Sequence, residues 1–178
     1  MESTRYFGAS INKALREKLE TDKKVILLGQ DIRDPFGGCF RITRGLSTDF
    51  PDRVINTPIS EAAVLGVAIG LAMQGFKPVV EVMFYDFMTL CFDQLLNHAV
   101  KFHEHWQPIN ITIRTTIGKK DYGYQHTQDL DYVFRNVISI CHPNLNDDVG
   151  GLLKEAIDME KPVLFVEDSK YYLQKMEA

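Results

Sequence analysis

The chain has 178 residues, 45% of them hydrophobic, and a formal net charge of −4, enough for one domain with a sizeable core. Its lysines and arginines are scattered among acids and form no stripe, which excludes the usual basic nucleic-acid surface. Cys39, Cys91 and Cys141 are odd in number and lack C-x-x-C spacing, Met1–Arg5 shows no signal pattern, and no apolar run reaches membrane-spanning length, so reduced packing thiols in a cytoplasmic protein are expected.

Phe7, Ile11, Leu15 and Leu19 recur every fourth residue behind Ser3 and Thr4 as candidate caps, predicting an amphipathic opening helix. Val25–Gly29 follows as a short run, apolar on both faces and stopped by glycine, as in a parallel strand covered by helices on both sides. Comparable runs occur at Val54–Asn56, Pro78–Met83, Ile109–Thr115, Val137–Cys141 and Pro162–Glu167, with helical patterns over 61–74, 86–105, 127–135 and 145–159. The alternation predicts an α/β fold, a doubly wound, mostly parallel six-stranded sheet with helices on both faces.

In such a sheet, ligands bind beyond the carboxyl ends of the strands. Asn56–Ala63 places Glu61 there, at the first turn of a helix. Helix amides favour an ionised group in that position, although Ser60 as a cap and Glu61 as a dipole partner would also account for the pair. The helix itself is rich in Ala and Gly, and Gly66 and Gly70 lie one turn apart. Glycine inside a helix costs about 0.5–1 kcal/mol relative to alanine, so close packing against the sheet, a cofactor or another subunit is expected there.

Phe84-Tyr85-Asp86-Phe87 falls at the next strand end, where aromatics either complete the core or form a platform for a flat ring. His126 lies in the loop after the fourth strand beside Tyr122, Tyr124 and Gln125, either solvated or poised for proton transfer. The sequence has no phosphate-loop glycine motif, no G-x-G-x-x-G, no H-E-x-x-H and no G-x-S-x-G. His103-Glu104-His105 points its imidazoles to different helix faces and is expected to be a solvated helix end.

Gly37–Leu46, Thr57–Ala63, Pro78–Leu90 and Tyr124–Gln128, in this order, resemble the pyrimidine-binding domain of the beta subunit of thiamine-diphosphate-dependent 2-oxo-acid dehydrogenases, the pyruvate dehydrogenase type, over about residues 6–172. The resemblance implies that Glu61 hydrogen-bonds N1′ of the cofactor pyrimidine, that Phe87 stacks on that ring with Ile59 nearby, and that His126 acts on the substrate. It implies thiamine diphosphate with Mg²⁺, whose Gly-Asp-Gly ligand segment is missing here, so that an alpha-like partner would bring the diphosphate half within a heterotetramer. On this reading residues 1–178 are a single pyrimidine-binding domain without the C-terminal transketolase-type domain. Ile117-Gly118-Lys119-Lys120-Asp121 replaces the family's glycine-rich loop. A subunit of a two-component transketolase and a non-catalytic assembly module are the alternative readings.

Overall fold

The computed structural model describes residues 6–176, which form one six-stranded sheet with every neighbouring pair parallel, in the order β2-β1-β3-β4-β6-β5. The strands are β1 (Val25–Gly29), β2 (Val54–Asn56), β3 (Lys77–Val82), β4 (Thr112–Ile117), β5 (Ser139–Cys141) and β6 (Val163–Asp168). All five β1 residues and all six β4 residues are buried, because helices cover both faces of the sheet.

One face carries α1 (Phe7–Thr21) and α6 (Val149–Asp158) over a core that includes Phe7, Leu15, Leu27, Leu153 and Phe165. The other carries α3 (Glu61–Met73), the helical run 85–105 and α5 (Asp131–Phe134) over Leu65, Val80, Met88, Ile113 and Phe134. A short α2 (Leu46–Asp49) lies in the β1–β2 connection.

Several expectations need correction. The candidate caps Ser3 and Thr4 lie outside the described residues, and the N-cap of α1 is Tyr6, which makes no side-chain cap bond. Ser60 occupies the N-cap position of α3 without a side-chain cap bond. The 86–105 stretch is a succession of tight 3₁₀ turns (Tyr85–Cys91), wide π turns (Gln94–Val100) and a short α4 (Lys101–His105). Apolar periodicity cannot distinguish these windings, since each leaves one face on the sheet. The 127–135 helix shrinks to the four residues of α5. Strand β2 is an edge strand with Ile55 exposed, not a run buried on both faces. Cys39 is exposed; Cys91 alone of the three thiols is fully buried.

Candidate functional site

Because all strands run parallel, the loops after β1, β2, β3 and β4 open at one edge of the sheet. The β1–β2 connection folds back over that edge through Gly37 and Gly38, both at positive φ. A Cβ at Gly38 would come 2.9 Å from a Glu81 carboxylate oxygen, and the Gly38 φ of +82° is a backbone conformation that favours glycine. The loop is anchored by Asp34, which accepts hydrogen bonds from the Gly45 amide at 2.7 Å, the Ser47 hydroxyl at 2.7 Å and the Thr48 hydroxyl at 2.8 Å. The Gly45 amide, followed by the Ser47 hydroxyl, holds the Asp34 carboxyl down at about 2.

Glu61 opens α3 half-buried, and among the described residues its carboxylate makes no hydrogen bond or ion pair within the chain. Gln30, Thr57, Ile59, Ser60, Glu81 and Met83 line a shallow cleft with it. The Thr57 hydroxyl is buried there without a hydrogen-bond partner, an arrangement that ordinarily implies an absent polar group. Ile59 is 74% exposed at the rim.

Phe87 and His126 are brought together directly. The His126 ring packs edge-on against Phe84 at 4.6 Å and Phe87 at 5.6 Å between centroids. Phe40, from the glycine-rich connection, packs against Phe84 at 5.8 Å and stacks on Tyr122 at 6.2 Å. The backbone of the His126 loop is closed by the Gly118 amide donating to the His126 carbonyl at 2.7 Å. A side chain at Gly118 would place its Cβ 2.2 Å from that oxygen, which explains why this position is glycine. His126 Nδ1 lies 3.0 Å from the Tyr122 carbonyl. A carbonyl only accepts, so Nδ1 carries the proton and Nε2 is left as the working nitrogen. Asp86 is buried and accepts from Gln128 Nε2 at 2.6 Å; it ties the end of the His126 loop to the Phe87 segment and does not cap a helix, the N-cap being Phe84.

Glu61 lines a cleft that neither Phe87 nor His126 lines. The link between the cleft and the aromatic group is the 85–91 segment. Burial pushes the Cys91 thiol up to about 12, and the Glu61 charge adds to the effect. His103, Glu104 and His105 form the expected helix end, with Glu104 and His105 exposed and His103 Nδ1 3.4 Å from the Ile109 amide.

A buried charge network underlies the edge and was not foreseen. Arg114 on β4 donates to Glu167 through Nε at 2.6 Å and Nη2 at 2.9 Å, and to Glu81 through Nη1 at 2.8 Å. The Tyr172 hydroxyl donates to Glu167 at 2.8 Å. Burial pushes the Glu81 carboxyl up, and the Arg114 charge opposes that shift. A lone arginine inside an otherwise uncharged strand, Thr112–Ile117, was the available signal, because such a charge requires buried partners on both neighbouring strands.

The family profile described as transketolase, pyrimidine binding domain, matches residues 5–173. The beta subunit of acetoin:2,6-dichlorophenolindophenol oxidoreductase from Cupriavidus necator is 36% identical, covering 92% of this chain and 53% of that protein. The pyruvate dehydrogenase E1 component subunit beta of Leifsonia xyli is 35% identical over 95% of this chain and 52% of its own length. Among solved structures, a split-gene transketolase described as an inactive beta4 tetramer superposes with a TM-score of 0.73 at 23% identity, covering 89% of this chain and 49% of that one. The chain thus spans about half the length of the curated relatives it matches. With the parallel sheet, the site at its carboxyl edge and these matches in agreement, the chain belongs to the transketolase pyrimidine-binding domain family.

Proposed function

We propose that the chain is the beta-type component of a split thiamine-diphosphate-dependent enzyme that decarboxylates a 2-oxo acid and transfers the acyl or aldehyde unit. The observation that carries this reading is the unpaired Glu61 carboxylate beside the unpartnered, buried Thr57 hydroxyl in one cleft. A flat heterocycle with a protonated ring nitrogen fits the Glu61 carboxylate, which has no partner within the chain, and would cover Ile59. Relatives named as beta subunits of pyruvate and 2-oxoisovalerate dehydrogenases support the 2-oxo-acid class, and the relative named for acetoin is named for a hydroxyketone.

When bound, thiamine diphosphate supplies an electron sink for the carbon left by departing carbon dioxide. Glu61 would hold a proton at N1′ of the bound pyrimidine and so set that ring's tautomer. Phe87, half-buried and braced by Phe84 at 5.7 Å, would pack on the pyrimidine, with Ile59 at the rim of the Glu61 cleft. His126, fixed through Nδ1, offers Nε2 to accept or donate a proton at the substrate oxygen. Mg²⁺ and the diphosphate fall to an alpha-like subunit within a heterotetramer, since Gly-Asp-Gly is missing from this sequence. A reducing, cytoplasmic setting fits the three free cysteines.

Co-expression with the alpha-like subunit, followed by titration of thiamine diphosphate and Mg²⁺, tests the reading. Dichlorophenolindophenol should be reduced in the presence of a 2-oxo acid and cofactor. Absence of cofactor binding by the assembled pair, or turnover of ketose phosphates with no turnover of 2-oxo acids, would overturn it.

A further inference from the structure

A second convergence of ligating side chains lies away from both the Glu61 cleft and His126. Asp129, Asp131 and His142 bring one ligand atom each to within 4.8 Å of the others. Asp129 and Asp131 flank the start of α5, whereas His142 follows β5, so the topology and not local sequence brings them together. The two Asp131 oxygens have separate tasks. Oδ1 accepts the Tyr85 phenol at 3.0 Å, and Oδ2 faces His142 Nδ1 at 3.0 Å. Tyr85 is fully buried and stacked on Phe134 at 5.5 Å, so a rigid core group orients Asp131. Such outer support is what fixes a metal-binding carboxylate.

An ion pair between His142 and Asp131 accounts for only part of this arrangement. It leaves Asp129 with one oxygen on the Asp131 amide at 3.0 Å and the other unengaged. Two carboxylates also face at most one cationic imidazole. No lysine or arginine among the described residues pairs with either acid, and Lys170, which lines the adjoining cavity, is engaged by Asp168 at 2.5 Å. That cavity, about 320 Å³, opens on Asp129 and His142 and leaves room for water on an ion.

The three ligand atoms lie within 4.8 Å of one another, so small side-chain rotations that open the His142–Asp131 contact bring each to about 2.1 Å from a shared ion. One imidazole and two carboxylates suit first-row divalent ions better than Ca²⁺ or Mg²⁺.

We propose that Asp129, Asp131 and His142 form a binding site for a divalent transition cation of the Mn²⁺ kind, separate from the Mg²⁺ that accompanies the diphosphate. The ion pins the segment leaving the His126 loop to the end of β5. Gln128, bonded to Asp86 at 2.6 Å, fixes the other end of that segment, so the cation limits how far the His126 loop can move.

Titrating Mn²⁺ into the assembled protein without thiamine diphosphate tests this, read by electron paramagnetic resonance; omitting the diphosphate removes the cofactor's own metal from the count. The expected result is one bound ion per chain, with ¹⁴N coupling from an imidazole. His142→Gln should remove the coupling and weaken binding at least about tenfold, and Asp129→Asn should weaken it as well. Mn²⁺ that remains free in the wild-type protein, bound Mn²⁺ without ¹⁴N coupling, or an Asp129→Asn variant that binds like wild type would each overturn the three-ligand site.

Discussion

Glu61 and Asp34 are both carboxylates on the same edge of the sheet, yet their surroundings set them opposite tasks. Asp34 is saturated with donors and serves the loop, whereas Glu61 has none and is open to a ligand. Glu61→Gln keeps the size and removes the ionised oxygen. It should lower turnover of the assembled enzyme by about 10²–10⁴ while leaving the melting temperature unchanged, which paired activity and thermal scans would check. Asp34 is predicted to act through stability. Its folded value of about 2 lies below the ordinary 3.8, so its contribution is complete above about pH 4 and is lost as pH falls towards 2. Asp34→Asn should therefore melt below wild type at neutral pH, with the gap closing on acidification. A gap that stays constant down to pH about 2 would show that the charge is irrelevant. Glu61 was legible in the sequence because strand, turn and small-residue helix follow one another around it. The saturation of Asp34 was not, since its donors lie 11 to 14 residues away and depend on how the loop folds.

At the scale of elements, α3 shows what periodicity conveys and what it omits. Its small residues anticipated close packing, but a Cβ added at Gly66 or Gly70 meets nothing within 4 Å. The glycine face therefore does not pack on the sheet, and the sheet face is made by Val64, Leu65, Ala68, Ile69 and Ala72. Val67 on the outer side is 58% exposed, an apolar group next to unshielded helix backbone. If this face meets another subunit, Gly66→Leu should hold or raise the stability of the separated chain, by up to about 1 kcal/mol from helix propensity, and should dissociate the complex, as overpacking costs about 1–3 kcal/mol or more. Light scattering beside a thermal scan separates the two effects; normal assembly of the Leu variant would place the interface elsewhere. Most strand positions were readable as buried apolar runs bounded by glycine or proline. The winding of 85–105 was not, because 3₁₀, π and α turns differ in hydrogen-bond partners and not in which side chains must be apolar.

Across the whole molecule, Arg114 joins β3, β4 and β6 in the centre of the sheet, with Tyr172 from the C-terminal segment closing the network. Removing the cation leaves two carboxylates in a buried setting. Arg114→Met should destabilise the fold by about 3–5 kcal/mol, measured by urea denaturation, and loss below about 1 kcal/mol would mean that the acids simply take up protons. Strand order and this network lay beyond a single sequence, because both depend on pairings between residues 33 to 53 positions apart. The number of strands and their parallel direction did not, since short apolar runs separated by helical patterns leave few other arrangements.

The outer rim of β2 has a further consequence. Alternate groups of β2 bond to β1, as when the Leu27 amide donates to the Arg53 carbonyl at 2.8 Å. Val54 therefore turns its own amide and carbonyl outward. Both are already taken: the amide donates to the Phe50 carbonyl at 3.2 Å, and the carbonyl accepts from Arg33 Nη1 at 3.0 Å. Arg33 also reaches the Pro51 carbonyl at 2.7 Å, and its own amide donates to the Asn56 side chain at 2.9 Å. Phe50 and Arg33 thus occupy the outward groups of Val54, and a second chain finds no open ladder to extend at that residue. Fibril-like stacking by strand addition is hindered at this point of β2, so the β2 edge is a poor surface for another copy to extend.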